Sequence, residues 1–594
     1  MCGIFALIET KPRFSDDMYT ELINSTGQLL EHRGPDACGH KLIVDTNSYT
    51  NILLLHTRLH INGDNTPQPL FDEERSLYLI INGEIFNWKQ LEEELDYKCH
   101  MSDCEILLPL YKRYQNNIPQ MLNKLNGQFS FVLLDLKAKK ILVARDRIGV
   151  TPLYIGFSSQ SARVAIASEL KCLTQIVSTT GMTSAETSVV ENCLVDNIKT
   201  FYPRQYIYTT FDSFKESTPV NTYTNYFEQE YLVPENATKH TTTNKIVTEY
   251  RDKVLTEIKT KLTDSVRLQL QDLISNGIDF GVLLSGGLDS SLITSLVVKL
   301  AQELGHNVPI KTFSIGINKD VPDLTAARKV SESLNTDHHE YYFEVADALA
   351  TIPEVVWAVE SYDCTTVRAS TAMYLLTKQI KQSYPRLRVV FSGEMSDELL
   401  CYLYGANAPN EMEFQKETVN LVSSVHLFDC LRANKCCMAH SLEVRVPFTD
   451  PHYVDCILKL DPQLKMFGKQ TGQMEKQVLR DAFQGYLPDD ILYRKKEQFI
   501  DGVSGFTDKE NLIDSIKKHV DKMYTQQQYE EHRHLYTYNR PDTKEKLWYR
   551  QLFCERFNDD SYKNTSEFTV REWKPKWCVD QDPSGRMQTF WVKN

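Results

Sequence analysis

"FGVLLSGGLDSSLITSLVVKL", residues 280–300, is the stretch from which the rest of the chain can be read. Apolar residues from Phe280 to Leu284 lead into Ser-Gly-Gly, then Asp289, two serines and an apolar-periodic run. A short apolar run followed by helical periodicity predicts a buried strand, a turn and a helix over about 290–300. In an open α/β sheet, ligands bind beyond the carboxyl ends of the strands, so this turn is where a ligand belongs. Glycine reaches positive φ without Cβ strain, which lets the N–H groups of Ser285, Gly286 and Gly287 turn inward. Such a nest at a helix N-terminus cradles an anion, and a phosphate chain fits it best. Asp289 would repel phosphate unless a divalent metal stood between them. No lysine follows the glycines, so this is not the G-x-x-x-x-G-K-[ST] loop. A lysine-free nest suits a diphosphate that departs whole. Taken alone, the stretch also fits a tight turn capped by Asp or Ser.

A second stretch, "RVVFSGEMSDELL" at 388–400, repeats the pattern: strand, Ser392-Gly393, then Glu394, Asp397 and Glu398. If the two strands are neighbours, both Ser-Gly turns face one crevice, and Asp289 and Asp397 can share a magnesium ion. The same acids also complement a helix N-terminus, and both readings can hold together. Around these stretches strands alternate with helices: "GVLLS", "IKTFSIG", "HEYYF" and "LRVVFSG". That rhythm predicts a mostly parallel, doubly wound sheet. Tyr250, Val254, Ile258, Leu262, Val266 and Leu270 recur every four residues and predict a long helix before it.

At 594 residues the chain exceeds one ordinary core, so two or more domains are expected. Its net charge of -13 argues against a nucleic-acid groove. No apolar run is long enough to span a bilayer, and the N-terminus lacks a secretory signal pattern, which predicts a cytoplasmic protein with no membrane partner. The 14 cysteines are irregularly spaced without C-x-x-C, so neither a disulfide framework nor a zinc site is expected. Cys436 and Cys437 read as packing residues. The adjacent histidines of "DHHEYY" (337–342) point to opposite faces of a strand and cannot share a metal. "LEEEL" at 91–95 reads as a solvated helix face.

The first 170 residues read as short strands with few helices. "FSFVLLD" (129–135) and "KILVARD" (140–146) predict a hairpin; "DDMYTELINSTGQLLEHRG" and "DCEILLPLYKRYQ" predict helices. Two sheets flanked by helices follow. From 174 to 245 the Thr-, Ser- and Asn-rich composition predicts connecting segments. The last 90 residues are weakly periodic. At the other end "MCGIF" puts Cys2 behind the initiator methionine. Removing that methionine exposes an α-amine with a pKa near that of the thiol, so one residue carries nucleophile and base.

"LSGGLDSS" resembles the diphosphate loop of the ATP-pyrophosphatase superfamily, whose members adenylate a carboxylate or carbonyl oxygen. With "YDCTTVRAST", "RANK", "EVRVPF", "MEKQVLR", "KEQF" followed one residue later by "DGV", and "DPSGR" (582–586), the likeness narrows to the glutamine-dependent asparagine synthetases. "HRGPD" (32–36), "TRL" (57–59), "NGEIFN" (82–87) and "SDCE" (102–105) resemble the class II glutamine amidotransferase domain of that family.

The resemblance implies an α+β N-terminal nucleophile (αββα) domain followed by an α/β doubly wound, mostly parallel-sheet synthetase domain. The expected boundaries are 2–210 for the amidotransferase domain, 211–245 for a connecting segment, 246–560 for the synthetase domain and 561–594 for a tail. It implies that Cys2 attacks the glutamine amide, with Asn82 and the N–H of Gly83 as oxyanion hole. Arg58 and Asp103 then meet the glutamine α-carboxylate and α-ammonium, and Glu84 also contacts glutamine. For ATP it implies Leu283, Ser285, Gly286, Gly287, Asp289, Ser290, Ile315, Ser392, Gly393 and Lys476, with Lys476 neutralising phosphate charge. Thr365, Thr366 and Arg368 position aspartate, Glu394 supports formation or ammonolysis of the intermediate, and Asp289 and Asp397 hold Mg2+. The reaction makes asparagine through β-aspartyl-AMP, with ATP as co-substrate; the family suggests a homodimer and a dry passage for ammonia between domains.

Three departures stand out. The family has glycine where Met395 stands, "DELLCYLY" is a residue shorter and lacks a glycine pair, and Ile500 and Ser504 replace the family's serine and glycine. An altered pocket with retained activity is the expectation, with an impaired homologue as alternative. Sugar-phosphate and phosphoribosyl amidotransferases lack "SGGLDSS", β-lactam-type synthetases lack the N-terminal cysteine, and a tRNA-modifying pyrophosphatase needs basic surface; these rivals fit less well.

Overall fold

The computed structural model describes residues 1–594 apart from 11–13, 46–48, 64–67, 101, 159–161, 181–188, 196, 212, 214–222, 228–243, 469–470, 496–502, 504–510, 558–569, 575 and 578–594. Ile500, Ser504, "DPSGR" and most of 561–594 lie outside the described residues.

In the first part of the chain, two six-stranded sheets stack face to face. One runs in the order Asn197–Thr200, Tyr154–Phe157, Arg163–Ala167, Gly3–Thr10, Thr50–Arg58, Ala37–Asp45. The other runs Thr224–Asn225, Gln205–Thr210, Lys140–Arg145, Gly127–Asp135, Leu77–Ile85, Leu70–Phe71. All pairings are antiparallel, including the hairpin of Gly127–Asp135 with Lys140–Arg145. Strand residues alternate faces, so Ile4, Ala6, Ile8, Ile52 and Leu54 meet Ile80, Val132, Leu134, Ile141 and Val143 in one apolar layer between the sheets. Helix Asp16–Leu30 covers the outside of the first sheet, and Leu107–Tyr114 with Ile118–Asn123 covers the second.

Two expectations need correction here. Ile176–Thr180 and Val189–Cys193 pair as an antiparallel ribbon where composition predicts a connecting segment; β-branched Ile, Val and Thr favour strand however polar their neighbours. In "LEEEL", Glu92 is buried and accepts from the Cys99 N–H at 2.6 Å, so that helix face is not fully solvated.

The second part is built on a five-stranded parallel sheet in the order Asp337–Tyr342, Lys311–Gly316, Phe280–Leu283, Val389–Phe391, Glu443–Arg445. The chain moves outward from Phe280–Leu283 in one direction and then returns to its other side. That strand is the topological switch point, where a crevice opens in doubly wound sheets. The long helix spans Asn244–Ser275 and buries Val254, Ile258, Leu262, Val266 and Leu270. Cys436 and Cys437 are buried in helix Asp429–Met438, and the described cysteines are free thiols. Helices Leu512–Met523, Gln526–Arg533 and Lys544–Arg556 fill the weakly periodic end. Lys544–Arg556 buries Glu545 and Arg550 as well as Leu547 and Trp548, so it carries no clean apolar stripe for periodicity to reveal. No helix among the described residues is long and apolar enough to cross a membrane.

The two parts meet through polar contacts, including Trp88 Nε1 to Asp272 (2.7 Å), Asn126 to Asp450 (2.7 Å) and Arg388 to Asp36 (3.0 Å).

Candidate active sites

Phe280–Leu283 and Val389–Phe391 pair in parallel, with Phe280 opposite Val389 and Val282 opposite Phe391. The turns that follow them are therefore neighbours. A Cβ on Gly393 would lie 2.7 Å from the Ser290 nitrogen and 2.8 Å from the Asp289 carbonyl carbon, so only glycine lets the turns touch. Gly286 has φ +75° and packs against the backbone of Ala327. Ser285 and Ser290 hold the first turn together, hydroxyl to hydroxyl at 2.9 Å.

The crevice above these strand ends is lined by Leu283, Ser285, Gly287, Asp289, Ser290 and Ile315 on one side. Ser392, Gly393, Glu394, Asp397, Lys476, Thr365, Thr366 and Arg368 complete it. Of the residues expected around nucleotide and aspartate, Gly286 alone is absent from the lining. It supports the turn from behind, where its carbonyl accepts from Arg494 Nη1 at 3.0 Å.

Lys476 lies at the head of helix Gln477–Ala482, and its buried ammonium is 2.6 Å from Asp289 Oδ2 and 2.7 Å from Asp397 Oδ1. The two acids expected to share a metal thus converge on one cation, a lysine. Among the described residues no three His, Cys, Asp or Glu side chains cluster as a self-sufficient metal site. The two-carboxylate set suits a hard divalent ion that takes its remaining oxygens from substrate phosphates and water.

The other cations are also engaged. Arg368 turns its guanidinium fork to Glu545, with both contacts at 2.7 Å. Arg432 pairs with Glu394 at 2.9 Å and with Asp429, and Tyr402 donates to Glu398 (2.9 Å) and to Asp429. Burial, then the neighbouring Asp429, pushes the Glu398 carboxyl well above the usual range. Burial acts most strongly on Asp429 too, but Arg432 and the hydrogen bonds from Glu398 and Tyr402 together outweigh it and lower its pKa. The buried Thr365 hydroxyl has no hydrogen-bond partner among the described residues. Arg432, Asp429, Tyr402 and Glu545 carry no signal in sequence beyond the "RANK" motif, because the helix Asp429–Met438, the turn at Tyr402 and the helix Lys544–Arg556 that bring them together are far apart in the chain.

Met395 and Cys401 take positive φ, +81° and +64°. Both are buried, and Met395 joins the apolar core with Leu399 and Leu400 without lining the crevice. Holding a non-glycine residue in the left-handed region costs about 1–2 kcal/mol, which that burial offsets.

The second site lies at the start of Gly3–Thr10. The Cys2 backbone N–H donates to Asn82 Oδ1 at 2.9 Å, and Arg33 Nε donates to the Cys2 carbonyl at 2.9 Å. With Met1 in place, Cys2 has an amide nitrogen and no free amine. Burial then raises the thiol pKa, against the lowering effect of the Met1 ammonium. Asn82 is fully buried and its side-chain N–H2 has no partner among the described residues. Gly83 has φ +146°, and a Cβ there would fall 2.0 Å from the Gln128 carbonyl oxygen. Arg58 Nη2 donates to the Asn62 carbonyl (2.9 Å), Asn62 Nδ2 donates to Glu84 (2.9 Å), and Asp103 accepts from the Ile85 N–H (2.9 Å). Burial raises the pKa of both Glu84 and Asp103. All six residues expected around glutamine thus come from one end of the stacked sheets.

Sequence reasoning missed Glu443 and Arg445, although it noted their motif. Glu443 pairs with the Met1 ammonium, and Arg445 lies 3.8 Å from Glu84. Both stand on the strand beside Val389–Phe391. The Ser392 N–H donates to the Arg445 carbonyl at 2.9 Å, which ties the floor of the crevice to the strand behind the cysteine site.

Comparison with known proteins agrees with this two-site layout. Residues 1–230 match the glutamine amidotransferase domain family, and residues 257–409 and 402–578 match the asparagine synthase family. The probable glutamine-hydrolysing asparagine synthetase of Schizosaccharomyces pombe is 37% identical over 617 residues, covering 99% of both chains. Glutamine-hydrolysing asparagine synthetase 1 of Arabidopsis thaliana is 35% identical over 623 residues, covering 99% of this chain and 93% of its own.

Proposed function

The chain belongs to the glutamine-hydrolysing asparagine synthetase family, and on that premise we propose how its residues divide the work. The enzyme makes asparagine from aspartate, with glutamine as nitrogen donor and ATP as the activating co-substrate. The proposed units are 2–210 for glutamine hydrolysis, 211–245 as connection, 246–560 for synthesis and 561–594 as tail.

At the first site, removal of Met1 would convert the Cys2 nitrogen from amide to amine and give the thiol a base within its own residue. Cys2 Sγ then attacks the glutamine amide carbon, ammonia leaves, and water releases glutamate from the thioester. The unpartnered N–H2 of Asn82 supports its role as an oxyanion donor, with the Gly83 N–H as the second. Arg58 and Asp103 offer one charge of each sign to the amino-acid end of glutamine, and Glu84 borders them.

At the second site, Ser285 to Ser290 together with Ser392 and Gly393 would hold the nucleotide phosphates, and Leu283 and Ile315 its adenosine end. Lys476 offsets phosphate charge. Asp289 and Asp397 converge on a point that already attracts a cation, which supports them as magnesium ligands. A magnesium ion bound there would neutralise the departing diphosphate. Thr365, with its unsatisfied hydroxyl, and Thr366 and Arg368 would orient aspartate so that its β-carboxylate attacks the α-phosphorus. Arg368 reaches aspartate only by sharing its fork with Glu545. Glu394, held by Arg432, would take a proton from ammonia as it displaces AMP. A cytoplasmic homodimer is the family-based reading of the assembly.

The single observation that carries this reading is the parallel pairing of Phe280–Leu283 with Val389–Phe391, which brings Asp289 and Asp397 to one cation. The test is to incubate the protein with ATP, magnesium, aspartate and either glutamine or ammonium, following diphosphate and asparagine. Both should form with either donor, and Asp289→Asn should stop both reactions. Failure of the unaltered protein to form asparagine would overturn the reading.

A further inference from the structure

The crevice has a wall that comes from far along the chain. Trp573 lines it beside Tyr402, Tyr404 and Phe428. Its ring meets Phe428 edge-on at 4.9 Å and Tyr402 at 5.4 Å, and Tyr402 stacks on Tyr404 at 5.7 Å. The backbone N–H of Trp573 donates to Asp363 Oδ1 at 2.7 Å, while Asp363 Oδ2 accepts from the Thr366 N–H at 2.8 Å. One carboxylate therefore caps the helix that presents Thr365, Thr366 and Arg368 and fastens the C-terminal segment to it.

The segment is tied on either side of that point. The Val570 carbonyl accepts from Asn539 (3.3 Å), Glu572 faces Lys546 (3.8 Å), Lys576 pairs with Glu413 (2.9 Å), and the Trp577 carbonyl accepts from Asn407 (3.4 Å). Lys546 is the neighbour of Glu545, the partner of Arg368. A surface tail needs neither an indole in the crevice nor a link to a helix cap there.

We propose that Trp573 is a positioning residue for synthesis, completing a water-excluding aromatic wall at the aspartate end of the crevice. The proposal rests on the asparagine-synthesis reading above. An acyl adenylate is open to attack by water: its oxygen bonds to the acyl carbon, the acyl–oxygen bond to phosphorus-bound oxygen breaks, and AMP leaves with the electron pair. Aspartate is regenerated and a proton released, so ATP is consumed without product. A dry wall on that side favours ammonia over water.

The experiment compares full-length wild type with Trp573→Ala, Trp573→Leu and Trp573→Phe, with ammonium as nitrogen donor. It measures the aspartate KM, the diphosphate released per asparagine formed, and glutamate release from glutamine. For Trp573→Ala, and for Trp573→Leu if the alanine variant does not fold, the aspartate KM rises roughly tenfold. Diphosphate per asparagine rises to about twice the wild-type ratio or more. Glutamate release stays unchanged, and Trp573→Phe restores most of both losses. Wild-type KM and ratio in the alanine or leucine variant would overturn the proposal. So would a parallel loss of glutamate release and thermal stability, the mark of a packing role alone. No asparagine from the wild type would instead overturn the underlying function.

Discussion

Asp289 and Asp397 grip one cation, the ammonium of Lys476, from the first turns of the helices that follow two neighbouring parallel strands. Removing that ammonium leaves two carboxylates facing each other at the proposed phosphate site. Lys476→Met should lower diphosphate formation by about 100-fold, the scale on which a fixed charge at a reacting centre acts. Added magnesium should recover part of the loss, and glutamate release from glutamine should persist. Unchanged diphosphate formation across a magnesium titration would make the lysine merely structural.

The amine and the thiol at the other site depend on Met1. Cys2→Ala should abolish glutamine-dependent synthesis and leave ammonium-dependent synthesis intact, because the proposed nucleophile serves the first site alone. Mass spectrometry of active protein should find the chain beginning at Cys2. Full glutamine turnover by protein that retains Met1 would contradict the amine's role as base, since the buried thiol then has a raised pKa.

His56, buried beside Arg58, is held with its pKa lowered to about 3, chiefly by burial. Its Nε2 lies 3.1 Å from the Ile81 carbonyl, to which the neutral ring donates. The folded chain keeps this ring neutral below the ordinary histidine pKa, whereas the unfolded chain takes up a proton. The unfolded state therefore binds more protons between about pH 6.5 and 3, and stability falls on acidification through that window, by about 1.4 kcal/mol per pH unit for one such group. His56→Gln, which keeps a donor for Ile81, should show a shallower fall of thermal midpoint between pH 6.5 and 4. Equal slopes for both proteins would exclude His56 as the source.

Met395→Gly relieves left-handed strain of about 1–2 kcal/mol. It also deletes a buried side chain, and truncations of that kind cost about 2–5 kcal/mol. Lost packing outweighs relieved strain, so the variant should melt lower than wild type. Because Met395 lies behind the crevice, the KM for ATP should not change. A lower KM for ATP would mean that the methionine does crowd the nucleotide after all.

Much of this was legible in the sequence. Ser285–Ser290 and Ser392–Asp397 could be placed at strand ends because a short apolar run, a glycine turn and a helical run are local signals. Cys2 stood out by its place behind the initiator methionine, and Asn82 and Asp103 came from motif likeness. The ribbon at 176–193 was not legible, since its Thr- and Ser-rich composition reads as loop while strand pairing is decided by a partner elsewhere. Nor was the helix Lys544–Arg556, whose Glu545 and Arg550 turn inward and blur its apolar stripe.

By itself the sequence determined the two catalytic modules and the turn chemistry of each, because glycines, acids and an N-terminal cysteine constrain local backbone and reactivity wherever they stand. Only the tertiary structure decided which strands are neighbours, that Lys476 lies between Asp289 and Asp397, that Arg368 answers to Glu545, and that Trp573 reaches the crevice. Those relations join residues distant in the chain, and they are set by sheet order and by the packing of whole helices, which no local stretch encodes.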